Sequence, residues 1–154
     1  MADTLRIERI LVPIDGSEYS RFAAEHAVRI AQQYGAEVTF LHAVDDQLVG
    51  QLAQQEGEDS RQQTRARLHQ NGEMYLHDVT HLASDRNLRH RNIIAEGDPC
   101  AVICDTAAQL QINLIVIGKI GRRGARRILV GSVTRRVIEG SDIPVLVVTQ
   151  APER

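Results

Sequence analysis

Gly118, Gly121 and Gly131 with Ser132 stand at the spacing G-x2-G-x9-G-S, an arrangement able to hold a phosphate. Glycines at a strand end let the backbone approach a ligand closely and adopt positive φ. Unpaired amides at the start of a following helix add donors and a favourable dipole. Ser132 contributes a hydroxyl, and Lys119 with the nearby arginines contributes positive charge. Between Lys119 and Arg136 lie seven basic residues and no acidic one. Setting those seven aside from 18 leaves 11 basic residues against 20 acidic, so the remainder carries −9 although the whole chain carries only −2. One short stretch is built to meet an anion. The spacing alone fits equally a glycine-punctuated turn under a solvated arginine surface. Neither G-x-x-x-x-G-K-[ST] nor G-x-G-x-x-G occurs.

Other residues invite chemistry and have plainer roles. Asp15, in Asp15-Gly16-Ser17, can cap the helix that follows. His42, at a strand end, suits local packing or bonding better than general-base work. His77 and His81 are four apart with no third ligand in the segment, which describes an exposed helix face rather than a metal site. Cys100 and Cys104 fit neither a disulfide framework nor a C-x-x-C site and are expected to be small buried hydrophobes. The arginines lack interleaved aromatics and the rest of the chain is acidic, which argues against a nucleic-acid partner.

The elements that must position these residues follow from periodicity. Arg9 to Asp15 is an apolar run leading into a turn, a buried strand. From Glu18 to Tyr34 apolar residues recur at three and four, and Gly35 stops the helix. Glu37 to Val44 is a second strand closed by Asp45-Asp46. Gln47 to Asn87 is polar and weakly periodic, and is expected to be a loop followed by a charged, largely exposed helix. Arg91 to Glu96 forms a third strand, and Gly97-Asp98-Pro99 opens a helix to about Gln111. Asn113 to Gly118 is continuous and β-branched, as in a strand covered on both faces. A short helix from Ser132 to about Glu139 and a last strand, Pro144 to Thr149, complete the chain.

Strands alternating with helices predict an α/β fold, a single doubly wound domain over 1–154 with a five-stranded parallel sheet and helices on both faces. If the first and fourth strands flank the point where strand order reverses, Asp15 and the loop after Gly118 face each other across one crevice. Aromatics are 3% of the residues and tryptophan is absent, so the core must be aliphatic. The N-terminal stretch has no apolar signal region and no run reaches membrane-spanning length, which predicts a cytoplasmic protein with no membrane insertion.

The chain resembles the universal stress proteins. The resemblance rests on the opening Ile-Leu-Val-Pro-Ile-Asp-Gly-Ser, the strand ending Phe-Leu-His-Ala-Val-Asp, and the Gly-Asp-Pro before a helix. It also rests on Leu-Ile-Val-Ile-Gly with its glycine spacing and on the closing Gly-Ser-Val-Thr and Ile-Pro-Val-Leu-Val-Val. It implies an adenine nucleotide alpha hydrolase-like fold and a bound adenine nucleotide: ATP, or ADP or AMP, with Mg2+ as an optional companion. In the family's nucleotide-binding branch, Asp15 would contact ribose or adenine with Pro13 nearby, and Ala43 would meet adenine through its backbone. Gly118, Gly121 and Gly131 would hold the phosphates with Ser132 and the amide of Val133. Lys119 and Ile120 depart from the small polar and basic residues usual between the first two glycines.

The resemblance further implies a stress-response or regulatory protein whose occupied state is the signal, and a homodimer through the strand Pro144 to Thr149. A slow ATPase or self-phosphorylating protein is one alternative, and a nucleotide-independent interaction module another. The first would need a metal-holding carboxylate beyond Asp15, so an enzyme is not expected.

Overall fold

The computed structural model describes residues 5–57, 60–120 and 130–150. Among them run β1 (Arg9–Pro13), α1 (Glu18–Tyr34), β2 (Glu37–Asp45), α2 (Asp46–Glu56) and α3 (Arg61–Ser84). β3 (His90–Gly97), α4 (Pro99–Gln109), β4 (Leu114–Gly118), α5 (Ser132–Gly140) and β5 (Val145–Val148) follow. The strands form one parallel sheet in the order β3-β2-β1-β4-β5. The chain winds outward from β1 to β3 and then crosses to β4, so strand order reverses between β1 and β4, as the crevice requires.

Side chains alternate between the faces of a strand, and both faces here are buried. Ile10 and Val12 of β1 and Val38 and Phe40 of β2 pack under α1 and α3. Leu11, Leu41, Ile115 and Ile117 pack under α4 and α5. Alanines at 23, 24, 27 and 31 give α1 a flat face with no exposure, letting it lie close on the sheet. Phe40, the largest fully buried side chain among the described residues, contributes about 1.5–3 kcal/mol by leaving water. Ser17 caps α1 by accepting the Ser20 amide at 3.1 Å, and Gly35 ends it at φ 70. Among the described residues, no helix is long and apolar enough to cross a membrane.

The segment after β2 departs from expectation. Its start is a helix, α2, because Asp45 accepts the amides of Gln47 and Leu48 and so caps a turn that weak periodicity concealed. α3 is largely exposed, as expected, but Thr64, Gly72, Leu76, Val79 and Ala83 are buried along one stripe. Two of those five are not apolar, which hid the stripe. Several element bounds also shift by one or two residues. β1 ends at Pro13, β3 runs from His90 to Gly97, α4 ends at Gln109, and β5 is shortened to Val145–Val148. Cys100 is buried as expected, whereas Cys104 is half-buried.

Candidate functional site

The carboxyl ends of β1, β2 and β4 open into a cleft of about 430 Å³. Its lining includes Pro13, Asp15, Ala43, Gly118, Gly131, Ser132 and Val133, seven residues singled out by sequence and scattered over 120 positions of the chain. Gly121 lies outside the described residues, as do Arg122, Arg123, Arg126 and Arg127. The sheet topology brings these residues together, because the crossover to β4 leaves the ends of β1 and β4 side by side.

At the end of β1, the Oδ1 of Asp15 accepts the Ser17 amide at 2.9 Å. Ser20 Oγ donates to the Ser17 carbonyl at 2.9 Å, tightening the same turn. Asp15 therefore supports the start of α1 and also faces the cleft. Gly16, at φ 82, lies beneath the ring of Tyr75, where a Cβ would stand 2.6 Å from the ring.

β2 extends beyond the end of β1. The register ends at Pro13 opposite Leu41, and the Leu41 carbonyl takes the Ile14 amide at 2.7 Å. Backbone groups alternate sides along a strand, so the N–H and C=O of Ala43 turn the same way as that carbonyl, where β1 no longer pairs with them. A donor and an acceptor thus open into the cleft. His42 also lines the cleft but is engaged within the protein: its Nδ1 bonds the Ile14 carbonyl at 2.7 Å and its ring meets Tyr75 edge-on at 5.6 Å. Burial pushes its pKa down, opposed by the Ile14 bond and by Asp15 and assisted by His69. The local role expected of His42 is what the geometry shows.

The opposite wall is the start of α5. Gly131 is its N-cap and supplies no side-chain cap. The Gly131 amide donates to the Lys119 carbonyl at 2.8 Å, and the helix's own bonding begins with Arg135 to the Gly131 carbonyl at 2.9 Å. The amides of Ser132, Val133 and Thr134 are the first-turn donors that no helix satisfies internally. They carry the positive end of the dipole, equivalent to about half a unit charge. Thr134 Oγ1 donates to the buried Gly118 carbonyl at 2.8 Å, locking the helix start to the end of β4. Gly118 is required for a reason separate from phosphate: a Cβ there would stand 2.7 Å from the Tyr19 carbonyl carbon.

One of the seven basic residues of the stretch is already paired within the protein. Arg136 turns to α4 and pairs in a fork with Asp98, at 2.9 and 3.0 Å. That guanidinium, aided by the Ala101 amide, holds the Asp98 carboxyl below its ordinary pKa. Ile120 lines the cleft and is buried, so an apolar side chain stands where family members usually carry a polar one. Among the described residues, no group of three His, Cys, Asp or Glu side chains could hold a metal, and His77 and His81 are exposed.

Leu48 of α2 and Leu68, Asn71 and Tyr75 of α3 also line the cleft. Sequence reasoning missed their place in it. For Leu68 and Tyr75 the signal was the stripe 64-68-72-75-76-79-83, legible only once Thr64 and Gly72 count as buried positions; Leu48 and Asn71 lie outside it.

Residues 6–149 match the universal stress protein family. The chain belongs to that family. The universal stress protein MJ0531 of Methanocaldococcus jannaschii is 36% identical over 141 residues, covering 92% of this chain and 81% of the relative. The solved structure of MJ0577, from the same organism, superposes with a TM-score of 0.83 at 26% identity, covering 96% of this chain and 99% of that one. A universal stress protein from Archaeoglobus fulgidus, solved in complex with dAMP, gives 0.68 at 17% identity, with 95% and 100% covered. The fold is the adenine nucleotide alpha hydrolase-like fold of these universal stress proteins.

Proposed function

We propose that the cleft binds an adenine nucleotide, ATP or its shorter relatives ADP and AMP, and that occupancy is what this stress protein signals in the cytoplasm. One observation carries the reading. The first-turn amides of Ser132, Val133 and Thr134 stand on one wall, and the N–H and C=O of Ala43 on another. The first set suits a phosphate, and the second suits a base edge presenting an acceptor beside a donor, as N1 and the 6-amino group of adenine do. Asp15, between them with Pro13, accepts from ribose hydroxyls. Gly118, Gly121 and Gly131 give the phosphates room. The dAMP held by the Archaeoglobus fulgidus relative supports a ligand of this class.

Binding without turnover is favoured by the cleft's carboxylates. Asp15 and Asp45 both line it, and both accept helix amides, Ser17 in one case and Gln47 with Leu48 in the other. Neither is a dedicated metal holder of the kind phosphoryl transfer uses. The signal would pass through a homodimer built on β5, a sheet edge whose Leu146 is exposed.

Isothermal titration with ATP, ADP, AMP and cyclic AMP tests the reading. At least one should bind, and Ser132→Ala should weaken it. Protein that is folded by circular dichroism and binds none of the four rejects it. Phosphate release that tracks Asp15→Ala would move the protein to the enzyme class.

A further inference from the structure

The polar side chains lining the cleft are of two kinds. Most are engaged within the protein: Asp15 with the Ser17 amide, Ser17 with Ser20, His42 with the Ile14 carbonyl, Asp45 with α2, and Thr134 with the Gly118 carbonyl. Tyr75 rests on His42. Among the described residues of the lining, Ser132 and Asn71 have side chains with no hydrogen bond. Ser132 stands beside the unsatisfied amides of α5. Asn71 stands on α3, half-buried, next to Gly72 and in a wall shared with the apolar Leu48 and Leu68.

An unpaired carboxamide in a partly buried apolar wall is unfavourable unless a ligand or water pairs with it. It is a poor phosphate ligand beside a helix start, and a good reader of a flat heterocycle. A carboxamide presents a donor and an acceptor side by side. The 6-amino group and N7 of adenine match that pair, whereas O6 and N7 of guanine are two acceptors, one of which would face the carboxamide oxygen.

We propose that Asn71 is a specificity-determining residue that pairs with the 6-amino and N7 edge of the base. Ala43 then meets the N1 edge with its backbone, and the two readers address different sides of one ring. This inference rests on the nucleotide reading of the cleft. It adds that α3, an element remote from the glycine loop in the chain, contributes selection against guanine beside that of the Ala43 backbone.

Titration of ATP and GTP into wild type, Asn71→Leu and Asn71→Ala tests it, with circular dichroism reporting the fold. Wild type should favour ATP, and both variants should lose about tenfold in ATP affinity with GTP binding unchanged, so that the preference narrows about tenfold to the share set by Ala43. Equal losses for ATP and GTP would show a structural role and overturn the proposal. It is equally overturned by a wild type indifferent to the base, or by variants that keep the full wild-type ATP preference. A wild type that binds neither nucleotide removes the underlying reading instead, a result distinct from the other three.

Discussion

The imidazole of His42 lies against the bare Cα of Gly72. A methyl group built at Gly72 would overlap His42 Cδ2 and stand 3.0 Å from both Cγ and Nε2. The ring cannot easily retreat, because its Nδ1 bonds the Ile14 carbonyl at 2.7 Å. This contact sets how closely α3 approaches β2, and so the width of the cleft between Tyr75 and the strand ends.

Two effects oppose each other in Gly72→Ala. Alanine favours a helix interior by about 1 kcal/mol over glycine, while overpacking costs about 1–3 kcal/mol. With His42 anchored, overpacking should win and the melting temperature should fall by a few degrees. In a His42→Ala background the same substitution should cost less. Calorimetry on the four proteins measures the coupling, and equal costs in both backgrounds would remove the contact from the account.

His42 should also make stability depend on pH. Burial lowers its folded pKa, so as pH falls below about 6.5 the unfolded chain takes up the proton before the folded one does. Stability attributable to this group therefore declines as pH drops from about 6.5 toward the folded pKa, and is flat above that window. Denaturant melts of wild type and His42→Asn across pH 5 to 8 isolate the effect. A difference between the two that does not change with pH would contradict it.

Gly118→Ala should damage the fold before it affects any ligand. Its Cβ would meet backbone atoms of Tyr19 at 2.7 and 2.8 Å, and α1 would have to move. A loss at the upper end of about 1–3 kcal/mol is expected. Gly131, at φ −65 and ψ 158, has a backbone open to any residue. Gly131→Ala should therefore show its main effect in nucleotide titration and Gly118→Ala in thermal melting. The opposite pattern would reverse these assignments.

On β5, Leu146 is 39% exposed at the sheet edge. Leu146→Lys should shift a dimer toward monomer mass in light scattering while circular dichroism stays unchanged, since charged edge residues oppose strand pairing. A variant that keeps the dimer mass would place the interface elsewhere.

The strands with covered faces were legible because their signal is local. Ile10 to Val12 and Leu114 to Gly118 are apolar without alternation, and each lies in a strand buried on both sides. α1 was legible from its apolar periodicity and Gly35 together, although the cap is Ser17 and not Asp15. α2 and α3 were not. α3 packs through Thr64 and Gly72, and the value of a glycine as a packing surface depends on which side chain, here His42, arrives from another element.

The sequence by itself determined the order of the five strands, the acid-free basic stretch and the glycine spacing, because each is a property of neighbours along the chain. Only the tertiary structure decided that Arg136 pairs with Asp98 and that Gly118 serves Tyr19. It likewise placed Asn71 and Tyr75 in the cleft with Asp15 and Ala43. Those relationships join residues tens of positions apart. They exist because parallel crossovers bring distant strand ends together at the switch between β1 and β4.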